Sequence, residues 1–214
     1  MMGEFKAVVV SISFFAAAII VGSIASSTAY TLTKSTIVAG VVAQIVFIVF
    51  SIFIVVFLLH RSLCDYGFRW PTRYGLSSIP ISIAVSLPLA LIAEYLSEGY
   101  VSSIAKEDLL SMLILALFVA PLGEETIFRG LIESYLLEHT DMWIAIVVPA
   151  VLFSAMHVVP YFNSPPLTLF FILLSALILG LLAGYFRAKG ESLFPAVTAH
   201  IVFNFTGIVI WKIL

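Results

Sequence analysis

Residues 35–59 read STIVAGVVAQIVFIVFSIFIVVFLL, twenty-five positions without a charged side chain. About 20 mostly apolar residues suffice for a helix to cross the hydrocarbon core of a bilayer. Ser35–Leu59 is therefore a membrane span on its own terms, and the rest of the chain has to be read in the same solvent. Ala7–Ala29 is equally free of charge. Leu76–Leu96 qualifies with Pro80 and Pro88 inside it and Glu94 near its end, since membrane helices tolerate proline where neighbours satisfy the freed backbone groups. Leu109–Gly123 is uncharged but short, and it runs straight into Glu124 and Glu125. Met142–Val159, Leu167–Phe186 and Leu193–Leu214 complete the set. No run alternates strictly, which argues against a transmembrane barrel. The expectation is an all-α, polytopic transmembrane bundle of about seven (six to eight) helices.

Composition agrees. Of 214 residues, 62% are hydrophobic and 10% charged, and the mean hydropathy is +1.19. A soluble domain carries about 25% charged residues, so this chain has too little polar surface to cover a water-facing globule. A net charge of −2 with ten Lys and Arg argues against a nucleic-acid partner, which needs a concentrated basic face. The single cysteine, Cys64, excludes a disulfide framework and a cysteine-based zinc site. No linker, repeat or low-complexity stretch divides the sequence. It reads as a single membrane domain over 1–214, with three N-terminal membrane helices of unassigned role in 1–108 and a helix core in 109–214 that holds Glu124, Arg129, His157 and His200. The first apolar run exceeds the 7–15 residues or so of a signal-peptide core and reads as a retained anchor.

Lys and Arg in short connections set orientation. Arg61, Arg69 and Arg73 lie between His60 and Gly75, and Arg187 and Lys189 between Arg187 and Ser192. With seven spans these connections share a side. Ser97–Asp108 falls opposite and is acidic, with Glu98, Glu107 and Asp108 against Lys106. The N-terminus is expected in the cytoplasm.

Ionisable groups at membrane depth cost at least about 2.5–3.5 kcal/mol each on insertion scales and are functional candidates by default. Glu124 with Glu125, Arg129, His157, and His200 with Asn204 stand out. His60 and His139 sit at span ends, and Glu133, Glu138 and Asp141 look like the wet face of a helix leaving the bilayer. If the fourth helix continues to Glu138 and turns at His139–Asp141, Glu124 and His157 stand at nearly one height, roughly 21–24 Å from the turn. His200 lies about 10–11 Å into the last helix from the same side, compatible with one cluster if the hairpin projects. That arrangement puts the site toward the cytoplasmic half.

Helical phase separates the roles. Glu125 and Arg129 are four apart and can pair, and Arg129 can reach Glu133. Glu124 is turned about 100° from Glu125 and has no cation at a paired spacing. It is the carboxylate left for chemistry, suited to a general base. His200 and Asn204, four apart, present one donor face, as an oxyanion site requires. Phe153 shares a face with His157 as packing.

In this order the residues resemble the CPBP family of membrane proteases, the CAAX prenyl proteases and bacteriocin-processing proteins. The motifs are Glu124-Glu125-Thr126-Ile127-Phe128-Arg129, Phe153-Ser154-Ala155-Met156-His157 and His200-Ile201-Val202-Phe203-Asn204, with Gly130 and Ser192–Ala196 as fitting flanks. The resemblance runs from Leu109 to Leu214. It implies a glutamate-dependent intramembrane endopeptidase, similar to type II CAAX prenyl endopeptidases. In it Glu124 and His157 activate water, His200 and Asn204 stabilise the oxyanion, and Glu125 and Arg129 support the site. Substrates of that kind are prenylated CAAX proteins or peptides, met within membrane lipid.

No cofactor is expected. A zinc site built from Glu124, His157 and His200 is the lesser alternative, since there is no His-Glu-x-x-His and Asn204 suits an oxyanion donor better than a ligand. Two other classes compete with hydrolysis. One is a proton-coupled transporter using the same groups as a relay, although transporters of that kind often carry internal repeats and none is visible. The other is a non-catalytic membrane scaffold or immunity protein.

Overall fold

The computed structural model describes residues 2–69, 74–96 and 108–213. Within them the regular elements are helices: α1 (Met2–Thr33), α2 (Thr36–Phe53, continued by a π-helical Ile54–Leu58), α3 (Ser78–Leu96), α4 (Leu109–His139), α5 (Met142–Met156), α6 (Pro166–Gly190) and α7 (Phe194–Ile213). Six are long and apolar enough to cross a membrane. The exception is α5, whose 15 residues make about 22 Å. The sequence carried this span on to Val159. It stops earlier because Pro160 disfavours helical geometry in the residue before it.

Local chemistry sets the ends. Ser35 accepts from the Val38 N–H, Asp108 from Ser111, and Asp141 from Trp143 and Ile144, each satisfying donors that a helix start leaves open. Lys34, at φ 58°, closes α1 by returning its N–H to Tyr30 O at 2.8 Å, an αL cap. Two-residue turns at 34–35 and 140–141 and a short link at 191–193 leave α1–α2, α4–α5 and α6–α7 as antiparallel hairpins.

The distribution of side chains inverts that of a water-soluble protein. Ile24, Val49, Phe118 and Trp143 are more than half exposed, whereas Glu125, Arg129 and Glu133 are completely buried. Lipid is the solvent that permits this. At the centre runs α4, whose Ile127, Phe128, Leu131, Ile132 and Leu136 have no exposed surface. Close approaches rest on small residues, as membrane packing favours.

One end of the bundle is tied together by polar contacts. The Leu193 N–H donates to Gly67 O at 2.9 Å, and the Ser192 hydroxyl to Arg69 O at 2.8 Å. Arg61 pairs with Glu138 at 3.2 Å and Arg69 with Glu191 at 3.3 Å. The connections that follow α2, α4 and α6 thus share a face, as the sequence required of the two basic ones. Tyr66 is buried here, and burial holds its phenol well above the ordinary value. Arg73, Glu98, Lys106 and Glu107, also used to orient the chain, lie outside the described residues.

Where α5 crosses α6, a Cβ added at Gly180 would stand 2.9 Å from both Cα and Cβ of Ala150. Gly180→Ala is expected to destabilise the protein by about 1–3 kcal/mol through overpacking, read as a lowered unfolding midpoint in detergent. Gly207→Ala, where no atom lies within 4 Å, should leave it unchanged.

Candidate active site

Two π-helical segments of α4, Leu115–Val119 and Thr126–Glu133, bracket the short α-helical stretch Ala120–Glu125 that carries both glutamates. A π-turn leaves carbonyls without their usual partners. The Ala120 N–H bonds Leu115 O, and Pro121 has no N–H to give. Ala116 O is left open, and Asn204 Nδ2 donates to it at 2.7 Å. The last motif is thereby fastened to the helix of the first.

Glu124 is buried on the wall of a cavity of about 900 Å³. Its Oε1 accepts from Gln44 Nε2 at 3.1 Å, and its Oε2 stands 3.8 Å from His200 Nε2. Gln44 is the side chain on this carboxylate that the sequence motifs did not single out. Its signal was there: an amide in the middle of the uncharged 35–59 run. Gly123 makes the approach possible, because any Cβ there would collide with the Gln44 carboxamide.

Glu125 has no exposed surface and holds three groups in place. Oε2 pairs with Arg129 Nε at 3.2 Å. Oε1 receives Arg129 Nη1 at 3.3 Å and His200 Nδ1 at 2.8 Å. A carboxylate paired with arginine is acceptor-only, so Nδ1 of His200 carries the proton and Nε2 faces Glu124. Arg129 spends Nη2 on Gly180 O at 2.9 Å, and its guanidinium lies 5.0 Å from the Phe153 ring centroid.

Phe153 also sets the histidines apart, its ring centroid lying 4.9 Å from that of His157 and 5.5 Å from that of His200. His157 is the residue at which α5 ends. Its Nδ1 meets Phe153 O at 2.8 Å. A carbonyl only accepts, so Nδ1–H donates and Nε2 keeps its lone pair. His157, Glu124, His200 and Asn204 all line the one cavity, with no hydrogen bond between His157 and Glu124. Among the described residues no three His, Cys, Asp or Glu side chains are grouped to hold a metal ion.

Glu133 departs from the sequence reading. It is fully buried rather than on a wet face, and Arg129 makes no ion pair with it among the described residues. The helical phase used to read it assumed a regular α-helix. The π-segment from Thr126 changes the register, and Gly184 opposite leaves room for the carboxylate. Glu138 and Asp141, by contrast, are exposed.

The cavity extends from Glu124 and His200 away from the face that holds Arg61, Arg69 and Arg187.

Arg129→Leu would leave Glu125 charged in the interior without its arginine, held by His200 alone. The expected cost is about 3–5 kcal/mol of stability, measured as a loss of folded protein in detergent, with Arg129→Lys intermediate because it gives up the bond to Gly180.

Comparison with protein-family models matches residues 106–206 to type II CAAX prenyl endopeptidase Rce1-like. No curated protein and no solved structure matches the chain. The matched segment holds α4 through most of α7, with both glutamates, Arg129, both cavity histidines and Asn204 inside it. Over that segment the chain is similar to the Rce1-like family of type II CAAX prenyl endopeptidases, which are membrane proteases.

Proposed function

We propose that this protease hydrolyses a peptide bond within the membrane, with Glu124 as general base and His157 as its partner in holding water. The observation that carries the proposal is the exposure of Glu124 and His200 to one apolar cavity, 3.8 Å apart. Water takes the place between Glu124 and the unprotonated Nε2 of His157 and attacks the scissile carbonyl carbon. Its proton passes to Glu124. The carbonyl π-electrons move to oxygen, and the oxyanion is received by the Asn204 N–H not spent on Ala116 and by His200, whose Nε2 must carry a second proton to donate there while Nδ1–H stays on Glu125. Collapse breaks the C–N bond as Glu124 returns the proton to the departing amine. Glu125 and Arg129 hold the frame. Substrates are peptides or lipidated protein segments, including prenylated CAAX tails, whose chains the apolar walls accept. The chemistry asks for no metal ion.

Cleavage of a peptide library by the purified, detergent-solubilised protein tests this. Glu124→Gln should lower kcat/KM by at least about a thousandfold, Asn204→Ala by about 10²–10³ as for loss of one oxyanion donor, and His157→Gln by about 10²–10⁴. Chelator should leave activity intact. Loss with restoration by zinc would replace the base by a His₂Glu metal centre.

Gln44 gives a separate expectation. A hydrogen bond to a charged group is worth about 1.5–3 kcal/mol, so Gln44→Met should lower kcat about 10–100-fold with little change in KM, because the lost contact orients the base and not the substrate.

A further inference from the structure

We propose that a second, polar cavity between the ends of α4 and α6 binds a phosphate group with an ammonium close by, the chemistry of an ethanolamine phospholipid headgroup or of free phosphoethanolamine. It shares no lining residue with the catalytic cavity.

The cavity measures about 250 Å³ and is lined by Asp65, Arg69, Ser134, Glu138, Arg187 and Glu191. That is the liquid volume of roughly eight waters at about 30 Å³ each, room for a small polar group and not for an acyl chain. Leu137 and Ala188, both half-buried, form its apolar edge. Its depth is that of headgroups. The 25 residues of α6 make about 37 Å of helix against a hydrocarbon core of about 30 Å. Arg187 sits in the last turn, just past Tyr185, which is 40% exposed, and tyrosines gather at the membrane–water interface.

Arg187 is the decisive group. It is only 4% exposed, yet of its five N–H groups a single one is spent, from Nη2 to the Ser134 hydroxyl at 2.7 Å. Nε is enclosed without a partner against Gly67, where a Cβ would stand 2.5 Å from it. Nη1 is farther from Gly67, makes no hydrogen bond and is not enclosed, so its donors face the cavity. Among the described residues no carboxylate stands within ion-pair distance of this guanidinium. Burying donors unspent is costly, and a guanidinium fork matches the oxygens of a phosphate. Arg69 offers a second donor. Its Nη1 holds Glu191 at 3.3 Å, but its Nη2 stands 3.9 Å from Asp65, beyond hydrogen-bond distance.

Charge selects the rest of the ligand. Arg61, Arg69 and Arg187 face Asp65, Glu133, Glu138 and Glu191, an excess of one carboxylate. Glu133, fully buried, balances Arg187 from the inner side without accepting a hydrogen bond from it. A plain anion would add to the negative excess, whereas a zwitterion does not. Its phosphate goes inward to Arg187, and its ammonium outward to Asp65 and Glu191, whose side chains are 64% and 74% exposed at the rim. The quaternary ammonium of choline has no N–H to give these carboxylates. An occupant would also brace the interior, because the Ser134 hydroxyl that receives Arg187 donates to Arg129 O at 2.9 Å.

Native mass spectrometry of the full chain in detergent tests this, with phosphatidylethanolamine, phosphatidylcholine and phosphatidylglycerol of matched acyl chains offered in equal amounts. One ethanolamine lipid should be retained in preference to the other two by about tenfold or more, as for one hydrogen bond to a charged group. Arg187→Lys should weaken its retention by a similar factor, because a point charge replaces the fork. Asp65→Asn with Glu191→Gln, both on the exposed rim, should keep the unfolding midpoint of the lipid-free protein and erase the preference for ethanolamine over choline. That variant decides the matter even if Arg187→Lys does not fold. Equal retention of the three lipids, preference for the glycerol headgroup, or no retention would overturn the proposal.

A second arm separates the sources by adding inorganic phosphate or free phosphoethanolamine to the lipid-free protein and reading the unfolding midpoint. Stabilisation by the lipid alone assigns the site to a headgroup. Stabilisation by free phosphoethanolamine and not by inorganic phosphate keeps the site and makes its ligand a soluble one. Equal stabilisation by inorganic phosphate overturns the role given to the rim carboxylates.

Discussion

The site depends on one buried carboxylate. Glu125 is bound by an arginine on its own helix and a histidine on α7, and Arg129 carries the connection on to the backbone of α6. Three helices are thus referred to a single group with no access to solvent. In hydrocarbon such a cluster has no alternative partners, so its geometry is stiff in a way that the apolar contacts around it are not. Stiffness is what Glu124 requires. It sits one residue before the clamp, turned toward the cavity, and its direction is set by the group next to it.

The same logic explains why α4 is not a regular helix. Each π-segment leaves carbonyls open, and side chains answer them. Asn204 takes Ala116 O. The Ser134 hydroxyl takes Arg129 O at 2.9 Å and itself accepts from Arg187 at 2.7 Å. What costs the helix part of its hydrogen-bond ladder gives it cross-links to α6 and α7. The α-helical stretch between the irregular segments is the piece with the glutamates.

Much of this was legible in the sequence. Uninterrupted apolar runs announce a membrane bundle, and Glu125 with Arg129 is a local pair that survives any small change in helix geometry. Less legible were features that depend on which helices touch. Gln44 looks like a tolerated amide until α2 is laid against Gly123. Glu133 looks exposed when a 3.6-residue period is assumed through a segment that does not keep it. Depth along a hairpin located the histidines near the glutamates but said nothing of the wholly buried layer beside them, which is made of alanines and aliphatic side chains of α4, α6 and α7. Such residues carry no pattern of their own.

The shortness of α5 bears on the membrane itself. Trp143, Val147 and Val151 turn its outer face to lipid, yet the helix is about 8 Å shorter than a 30 Å hydrocarbon core. The remaining height is covered by the 157–165 connection, where Val159 and Phe162 are largely exposed. Acyl chains beside α5 therefore meet a hydrophobic mismatch on the cavity side, which bilayers relieve by thinning locally at a modest cost. Lipid length becomes a variable of the enzyme: short acyl chains would bring the headgroup water closer to His157, and long ones would bury it deeper.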